Sequence, residues 1–138
     1  MAAGLLIDTS IFLHNEHGRL DLLDVLSVEP ETDYFISTVT AAELLHGTFR
    51  GLPTYRIRRS GFVHEVLSAF DVIDFDMRSA LACAEAEAAI AIKRGHVGAR
   101  DIMIAGTALS YGLAVVTSDA KSFPHVDRLD VRLHRTTD

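Results

Sequence analysis

The stretch Gly4-Leu5-Leu6-Ile7-Asp8-Thr9-Ser10 decides the fold class, because a continuous apolar run is followed directly by an acid and two hydroxyls. A short apolar run without polar alternation is typical of a parallel strand that is buried on both faces. The same order recurs in Leu113-Ala114-Val115-Val116-Thr117-Ser118-Asp119, whose β-branched centre again precedes hydroxyls and an acid. We therefore expect Asp8 and Asp119 at the carboxyl ends of two parallel strands.

The rest of the chain alternates between strand and helix patterns, which is typical of α/β layers around a parallel sheet. Strands are predicted near residues 4–8, 33–37, 71–75, 113–117 and 130–134. Helices are predicted over roughly 10–28, 39–49, 54–69, 77–94 and 99–111, with breaks at Gly47, Gly51-Leu52-Pro53, Gly95 and Gly112. The 138 residues are 49% hydrophobic, and no segment has the composition of a linker, so we expect one domain over 1–138.

Two further acids are predicted near helix beginnings. Glu43 lies early in the helix that follows the second strand, and Thr38 or Thr40 is the expected cap of that helix. Asp101 opens a later helix that is rich in alanine and leucine. In a doubly wound sheet, the strand carboxyl ends and the following helix N-termini share one side. We therefore expect all four acids to converge there.

Each acid also has a simpler explanation in which it serves the fold alone. Asp8 can cap the next helix, Asp101 can match a helix dipole, and Asp119 can be a turn residue. Glu43 is harder to explain in this way, because a solvated glutamate would interrupt an apolar stretch of its helix. Four independent structural roles would not ordinarily all fall on one edge of a sheet, so a shared chemical role is favoured.

The gathering of like charges at one edge predicts a metal site. Neighbouring carboxylates raise one another's pKa values, and a multivalent cation removes this repulsion. Ligand sets made only of oxygen favour Mg²⁺ or Mn²⁺ over Zn²⁺, which prefers imidazole and thiolate. A cation with open positions binds a phosphate oxygen and a water, and this is the chemistry of phosphodiester hydrolysis.

Composition sets limits on location and partners. No apolar stretch reaches the ~20 residues that span a bilayer, and the start of the chain lacks the basic region of a secretory signal, so we expect a cytoplasmic protein without membrane contact. The single Cys83 cannot form an internal disulfide and is expected to be a small buried side chain. A net charge of −6 argues against a broadly basic surface, although local patches or metals can still hold a phosphate backbone. The alanine-rich segment 80–92 allows close packing against the sheet or a second subunit, and a homodimer is expected.

These residues resemble the PIN-domain ribonucleases, and within them the toxin subunits of the VapBC toxin–antitoxin type. The resemblance covers nearly the whole chain and rests on four blocks in order. They are Leu6-Ile7-Asp8-Thr9-Ser10, Thr40-Ala41-Ala42-Glu43-Leu44-Leu45-His46-Gly47, Asp101-Ile102-Met103-Ile104-Ala105-Gly106-Thr107-Ala108-Leu109 and Val116-Thr117-Ser118-Asp119-Ala120-Lys121-Ser122-Phe123. The fold that the resemblance implies is a three-layer α/β/α sandwich with a central parallel β-sheet.

The resemblance also implies a site, a cofactor and partners. The metal-binding and catalytic acids would be Asp8, Glu43, Asp101 and Asp119, with Thr9, Ser10 and Thr117 orienting them. The cofactor would be Mg²⁺, with Mn²⁺ as a substitute. RNA would be cut by metal-activated water, leaving a 5′-phosphate and a 3′-hydroxyl, and a cognate antitoxin would inhibit the enzyme. The chain departs from many relatives in having Ser122 where they carry an acid or histidine, and Asp119 where they carry asparagine.

An arginine-rich segment is the candidate RNA contact. Its members are Arg50, Arg56, Arg58 and Arg59, interleaved with Tyr55 and Phe62. Guanidiniums suit phosphates and aromatic rings suit bases, although the same segment can be an ordinary solvated helix face. Two other classes stay open: a non-catalytic PIN-like module that binds RNA or protein, and a nuclease acting on DNA or flap structures. The small size of the chain disfavours the flap nuclease.

Overall fold

The computed structural model describes residues 3–137, in which five strands alternate with six α-helices and one 3₁₀ turn. The strands are β1 (Leu5–Ile7), β2 (Tyr34–Ser37), β3 (Asp71–Ile73), β4 (Ala114–Thr117) and β5 (Val131–Leu133). The helices are α1 (Thr9–Glu16), α2 (Leu22–Val28), α3 (Thr38–Thr48), α4 (Pro53–Ala69), α5 (Met77–Ile92) and α6 (Ala99–Tyr111), and the 3₁₀ turn is Phe123–His125. Within residues 3–137, no helix combines the length and the apolar character needed to cross a bilayer.

All five strands are parallel and lie in the order β3-β2-β1-β4-β5. The central strand β1 pairs with β2 on one side, where Leu5 faces Tyr34, and with β4 on the other, where Leu5 faces Ala114. The chain therefore builds outward from β1 to β3 and then returns to the opposite side of β1. This reversal opens a crevice at the carboxyl ends of β1 and β4, where ligands bind in sheets of this kind.

The two faces of the sheet pack against different helices because alternate strand residues point in opposite directions. Leu5 and Ile7 belong to a core with residues of α1, α2, α3 and α4, whereas Leu6 belongs to a second core formed mainly with α5 and α6. Leu6 and Ile7 have no exposed surface, and β1 is therefore the apolar centre of both cores. The expected three-layer α/β/α sandwich around a central parallel sheet is confirmed.

The prediction of one helix over 10–28 is wrong. The structure has two helices, α1 and α2, separated by a turn in which Gly18 adopts a φ of +73°. Helical backbone does not extend through a left-handed residue. Asp21 then caps α2, since its side chain accepts a 3.0 Å hydrogen bond from the Leu23 N–H.

The predicted break at Gly47 is also wrong, because α3 continues through this glycine to Thr48. A Cβ at Gly47 would lie 3.0 Å from Nη2 of Arg59. The glycine therefore lets the Arg59 side chain pack closely against α3, and it does not end the helix. The expected caps of α3, Thr38 and Thr40, are both inside the helix. Ser37 is the cap, and its hydroxyl accepts a hydrogen bond from the Thr40 N–H at 3.1 Å.

The alanine-rich helix α5 packs closely against α6. A Cβ at Gly106 would lie 2.8 Å from the carbonyl oxygen of Ser79 and 2.9 Å from Cβ of Cys83, closer than real side-chain atoms approach. Cys83 is buried at this contact, as predicted. The predicted break at Gly112 is correct, since this residue ends α6 with a φ of +67°.

Candidate active site

Asp8 is a buried carboxylate at the carboxyl end of the central strand. Its side chain is only 3% exposed, and Oδ2 accepts hydrogen bonds from the Ser10 hydroxyl at 2.7 Å and the Thr117 hydroxyl at 2.8 Å. Oδ2 also lies 3.4 Å from the Ser10 N–H, so Asp8 does cap α1, which was its simpler explanation. Capping alone does not require burial, and the contact with Thr117 joins α1 to the end of β4.

The environment of Asp8 disfavours its charged form. Burial raises the pKa of Asp8 from 3.8 to about 6, while the hydrogen bonds from Ser10 and Thr117 oppose the rise. The negative charge of Asp101 raises this pKa further. A carboxylate that is buried and faces another acid is stabilised in its charged form when a cation binds nearby.

Glu43 contacts Thr9, the residue that follows Asp8 in the chain. The Thr9 hydroxyl donates to Oε1 of Glu43 at 2.7 Å and lies 3.0 Å from the Thr40 hydroxyl, which is fully buried. The other carboxylate oxygen of Glu43 lies 3.8 Å from Nη1 of Arg100. Glu43 is 24% exposed, so it is both oriented by the protein and accessible to a ligand.

Asp101 lies in the first turn of α6, where a negative charge is favoured by the helix dipole. Burial and the charge of Asp119 raise the pKa of Asp101, and a hydrogen bond with Ser122 opposes the rise. Ser122 is the residue at which this chain departs from many relatives. Here it supplies a hydroxyl to a neighbouring acid instead of a further acid.

Asp119 follows β4 and makes two local hydrogen bonds between backbone and side chain. Its N–H donates to the Thr117 hydroxyl at 2.9 Å, and its Oδ1 accepts from the Lys121 N–H at 2.8 Å. The second contact is that of an Asx turn, so Asp119 has the turn role that was its simpler explanation. It also contributes the charge that acts on Asp101.

The four acids therefore lie at the same edge of the sheet. Thr117 contacts Asp8 and the Asp119 backbone, Thr9 connects α1 to Glu43, and the charge of Asp101 acts on Asp8. This edge is the crevice beside β1 and β4, where the strand order reverses.

The donor set fits a hard divalent cation, because it consists of carboxylate and hydroxyl oxygens. Among residues 3–137, no group of three or more Asp, Glu, His or Cys side chains is arranged to hold a metal ion. Mg²⁺ does not need such a cage, since it is usually bound by about one or two carboxylates together with waters and substrate phosphates. The hydroxyl of Ser118 is buried at this edge without a hydrogen-bond partner, so an acceptor or donor is still needed there.

The four predicted RNA-binding arginines do not form one patch. Arg50 is exposed and lines a groove that also contains Glu43, whereas Arg56 lines a different, apolar groove. Arg58 is exposed on α4. Arg59 is only 5% exposed, and its guanidinium forms an ion pair with Glu16 on α1. The Arg59 guanidinium is therefore engaged through Nη1 in the packing of α4 against α1, and an RNA contact by any of the four arginines stays a prediction.

The sequence reasoning missed Arg100, Thr40 and the hydroxyls of Ser118 and Ser122 as parts of this edge. Arg100 had a readable signal: it is a cation in the first turn of a helix, where the dipole disfavours positive charge. A residue placed against its local preference points to a role outside the helix. The roles of Ser118 and Ser122 depend on how the loop after β4 folds back, which no local pattern predicts.

Comparisons with known proteins agree with this geometry. The family model described as PIN domain matches residues 5–129. A protein named ribonuclease VapC1 from Rickettsia felis is 30% identical, covering 93% of this chain and 94% of that protein. A protein named tRNA(fMet)-specific endonuclease VapC from Salmonella typhimurium is 35% identical over 91 residues, 66% of this chain and 67% of that protein. The crystal structure of DNA-bound VapBC from Salmonella typhimurium has a chain that is 26% identical, with a TM-score of 0.83 and coverage of 93% of this chain and 96% of that one. With its strand order, its buried Asp8 and these relatives, the chain belongs to the PIN-domain family and, within it, to the VapC ribonucleases.

Proposed function

We propose that this protein is a Mg²⁺-dependent endoribonuclease, the toxin of a VapBC-type toxin–antitoxin module. The observation that carries the proposal is Asp8, a carboxylate that is 3% exposed at the strand-order reversal and lies in the field of Asp101. A fold gains nothing from burying a charge beside another acid, since both effects oppose ionisation. The name and coverage of the Rickettsia felis relative support ribonuclease activity rather than another metal-dependent reaction.

Asp8, Asp101, Asp119 and Glu43 are the acids that would hold the cation, about one or two of them directly and the others through its waters. When bound, a divalent cation polarises the scissile phosphodiester and acidifies an attacking water. Mg²⁺ is proposed over softer metals because the donors are oxygens, and Mn²⁺ should substitute for the same reason.

The chain's own residues prepare this reaction by orientation. The hydroxyls of Ser10 and Thr117 both donate to Oδ2 of Asp8, which fixes the carboxylate and would leave its other oxygen for the cation. Thr9 holds Oε1 of Glu43, and Glu43 would bind the cation or help to deprotonate the attacking water. Water attack on phosphorus with departure of the 3′ oxygen leaves a 5′-phosphate and a 3′-hydroxyl.

The test is cleavage of total cellular RNA by antitoxin-free protein with Mg²⁺, with Mn²⁺ and with EDTA. Asp8→Asn should abolish cleavage and keep the fold. Asp21→Asn is the matched control, because Asp21 also caps a helix but lies outside this edge, and it should cut like the wild type. Discrete fragments from the wild type and the control, only with metal, would support the proposal.

The absence of cutting by well-folded wild-type protein with either metal would favour the alternative, a non-catalytic PIN-like module. Initiator tRNA should be tested first as a pure substrate, since the Salmonella typhimurium relative is named for its specificity toward tRNA(fMet).

The proposed partners follow from the same family. A VapB-type antitoxin should bind and inhibit this chain, as the VapBC complexes among its structural neighbours suggest. A homodimer is proposed through α5, where Met77, Leu81 and Ile92 are 82%, 62% and 84% exposed. We also propose a single domain over residues 1–138 and a cytoplasmic location, which suits a chain whose only cysteine is unpaired.

A further inference from the structure

A groove of about 560 Å³ lies beside Glu43. Thr9 and Glu43 form one wall, and the rest of the lining includes Arg50, Tyr55, Arg59 and Arg100. We call it the Arg50–Arg100 groove. It is continuous with the candidate active site through Thr9 and Glu43, which contact each other.

The buried arginine in this groove has a donor that the protein does not use. Arg59 is 5% exposed and pairs with Glu16 through Nη1, but its Nε has no hydrogen-bond partner. The adjacent Gly47 also lines the groove, and a Cβ there would lie 3.3 Å from this Nε. The glycine therefore gives the guanidinium room to lie between α3 and α4. A buried N–H without a partner is costly unless a ligand or water accepts from it.

The groove is locally basic although the protein carries a net charge of −6. Arg50 is exposed, and Arg100 is 56% exposed with its guanidinium 3.8 Å from Glu43, too far for a hydrogen bond. Both guanidiniums therefore keep donors for a ligand. Arginine presents these donors in a planar fork that matches the oxygens of a phosphate.

An aromatic ring completes the groove. Tyr55 begins the exposed face of α4 and is 42% exposed, with Gly51 at its edge in a left-handed conformation. A half-exposed ring beside two exposed arginines is the combination that binds a single-stranded nucleic acid, because the ring stacks on a base while the cations contact the backbone.

We propose that the Arg50–Arg100 groove binds the nucleotide next to the scissile phosphodiester. Its phosphate contacts Arg50 and Arg100, and its base stacks on Tyr55. This inference rests on the proposed function and specifies where the RNA strand runs as it leaves Glu43. Arg56, which lines the apolar groove, takes no part in it.

The test is binding of fluorescein-labelled dodecauridylate in EDTA, where no cleavage occurs, over a series of NaCl concentrations. For single strands, log K falls as log salt concentration rises, and each lost phosphate contact makes this negative slope shallower by about 0.7. Arg50→Gln and Arg100→Gln should each produce this change, and the double variant should produce both. Arg128→Gln is the control, because this exposed arginine lines a separate pocket beside α5, and it should keep the wild-type slope.

Tyr55→Leu should weaken oligonucleotide binding by roughly tenfold without changing the salt slope. Tyr55→Phe should restore the wild-type affinity, because phenylalanine keeps the ring that stacks on the base.

A wild-type slope in the double variant would overturn the groove proposal. If the wild type still cuts total RNA with Mg²⁺, the proposed function stands and only the groove is wrong. If the wild type neither binds the oligonucleotide nor cuts RNA, both fail. Unchanged RNA binding together with lost inhibition by the antitoxin would assign the groove to the protein partner and overturn the proposal.

Discussion

Asp8 and Asp76 cap helices with similar contacts but sit in opposite electrostatic environments. Each accepts hydrogen bonds from the N–H and hydroxyl of a nearby serine, Ser10 for Asp8 and Ser79 for Asp76. Burial raises the pKa of Asp8 to about 6, whereas a hydrogen bond from the Tyr111 hydroxyl lowers the pKa of Asp76 to about 2. A helix N-terminus needs only a hydrogen-bond acceptor with a negative charge, and Asp76 provides both. The burial of Asp8 beside another acid is unfavourable for the apo fold, which is the pattern expected of a functional site.

The largest expected effect is a gain in stability when the charge of Asp8 is removed. The raised pKa means that the folded protein binds more protons than the unfolded chain between about pH 4 and pH 6, so stability falls as the pH rises through this window. Asp8→Asn removes this loss and should raise the free energy of unfolding at pH 7.5 by up to about 3 kcal/mol without metal. Urea denaturation of the wild type and the variant in EDTA measures this difference in the free energy of unfolding.

The pH dependence makes this prediction specific. Below about pH 4, Asp8 is protonated in both states, and the stability difference between Asp8→Asn and wild type should vanish. Asp76→Asn supplies the contrast, since it should destabilise the protein at pH 7.5. A destabilised Asp8→Asn at neutral pH would mean that Asp8 is a structural cap and nothing more.

A second effect concerns the hydroxyls that orient the two acids. Thr117 is fully buried and donates to Asp8, so Thr117→Val should remove an orienting hydrogen bond and lower RNA cleavage by about 10- to 100-fold. The corresponding change beside Asp76, Ser79→Ala, should leave cleavage unchanged because Ser79 lies outside the site edge. Single-turnover rates, with melting temperatures to confirm folding, separate the two variants. Equal losses of RNA cleavage in both variants would mean that the hydroxyl beside Asp8 has no special role in catalysis.

A third effect is stabilisation by metal. At a Mg²⁺ concentration ten times its Kd, binding to the folded state alone adds about 1.4 kcal/mol to the free energy of unfolding, which raises the Tm by a few degrees. Asp101→Asn should reduce this gain, because Asp101 contributes to the negative field at Asp8. Asp76→Asn should retain the gain. A wild-type melting curve that ignores millimolar Mg²⁺ and Mn²⁺ would count against a metal site at this edge.

The sheet and the edge that carries the acids could be predicted from the sequence, whereas contacts between distant residues could not. The apolar run before Asp8 and its counterpart before Asp119 sufficed for the parallel sheet and for the edge at which the acids meet. Local patterns failed where tertiary contacts decide, as at Gly47, whose place in α3 reflects the approach of Arg59 from α4. The same contact buries Arg59, so a sequence rich in arginine could not show which guanidiniums face solvent. The Tyr111 hydrogen bond to Asp76 joins residues 35 positions apart, and no capping pattern contains it.

The smallest expected effect is the acid sensitivity that Asp76 gives the protein. Because its folded pKa lies below its unfolded value, the stabilisation by Asp76 is present above about pH 4 and is lost as the pH falls toward 2. Tyr111→Phe removes the hydroxyl that is the largest cause of the lowered pKa, while Arg78, whose guanidinium lies 4.3 Å from the Tyr111 ring centroid, can still pack on phenylalanine. The variant should therefore lose a small part of its stability at pH 7 and less at pH 3, and its RNA cleavage should be normal. Unfolding curves at the two pH values measure the difference. An equal loss at both would assign the effect of Tyr111 to packing alone, and a loss of cleavage would show that the two capped helices are coupled rather than separate.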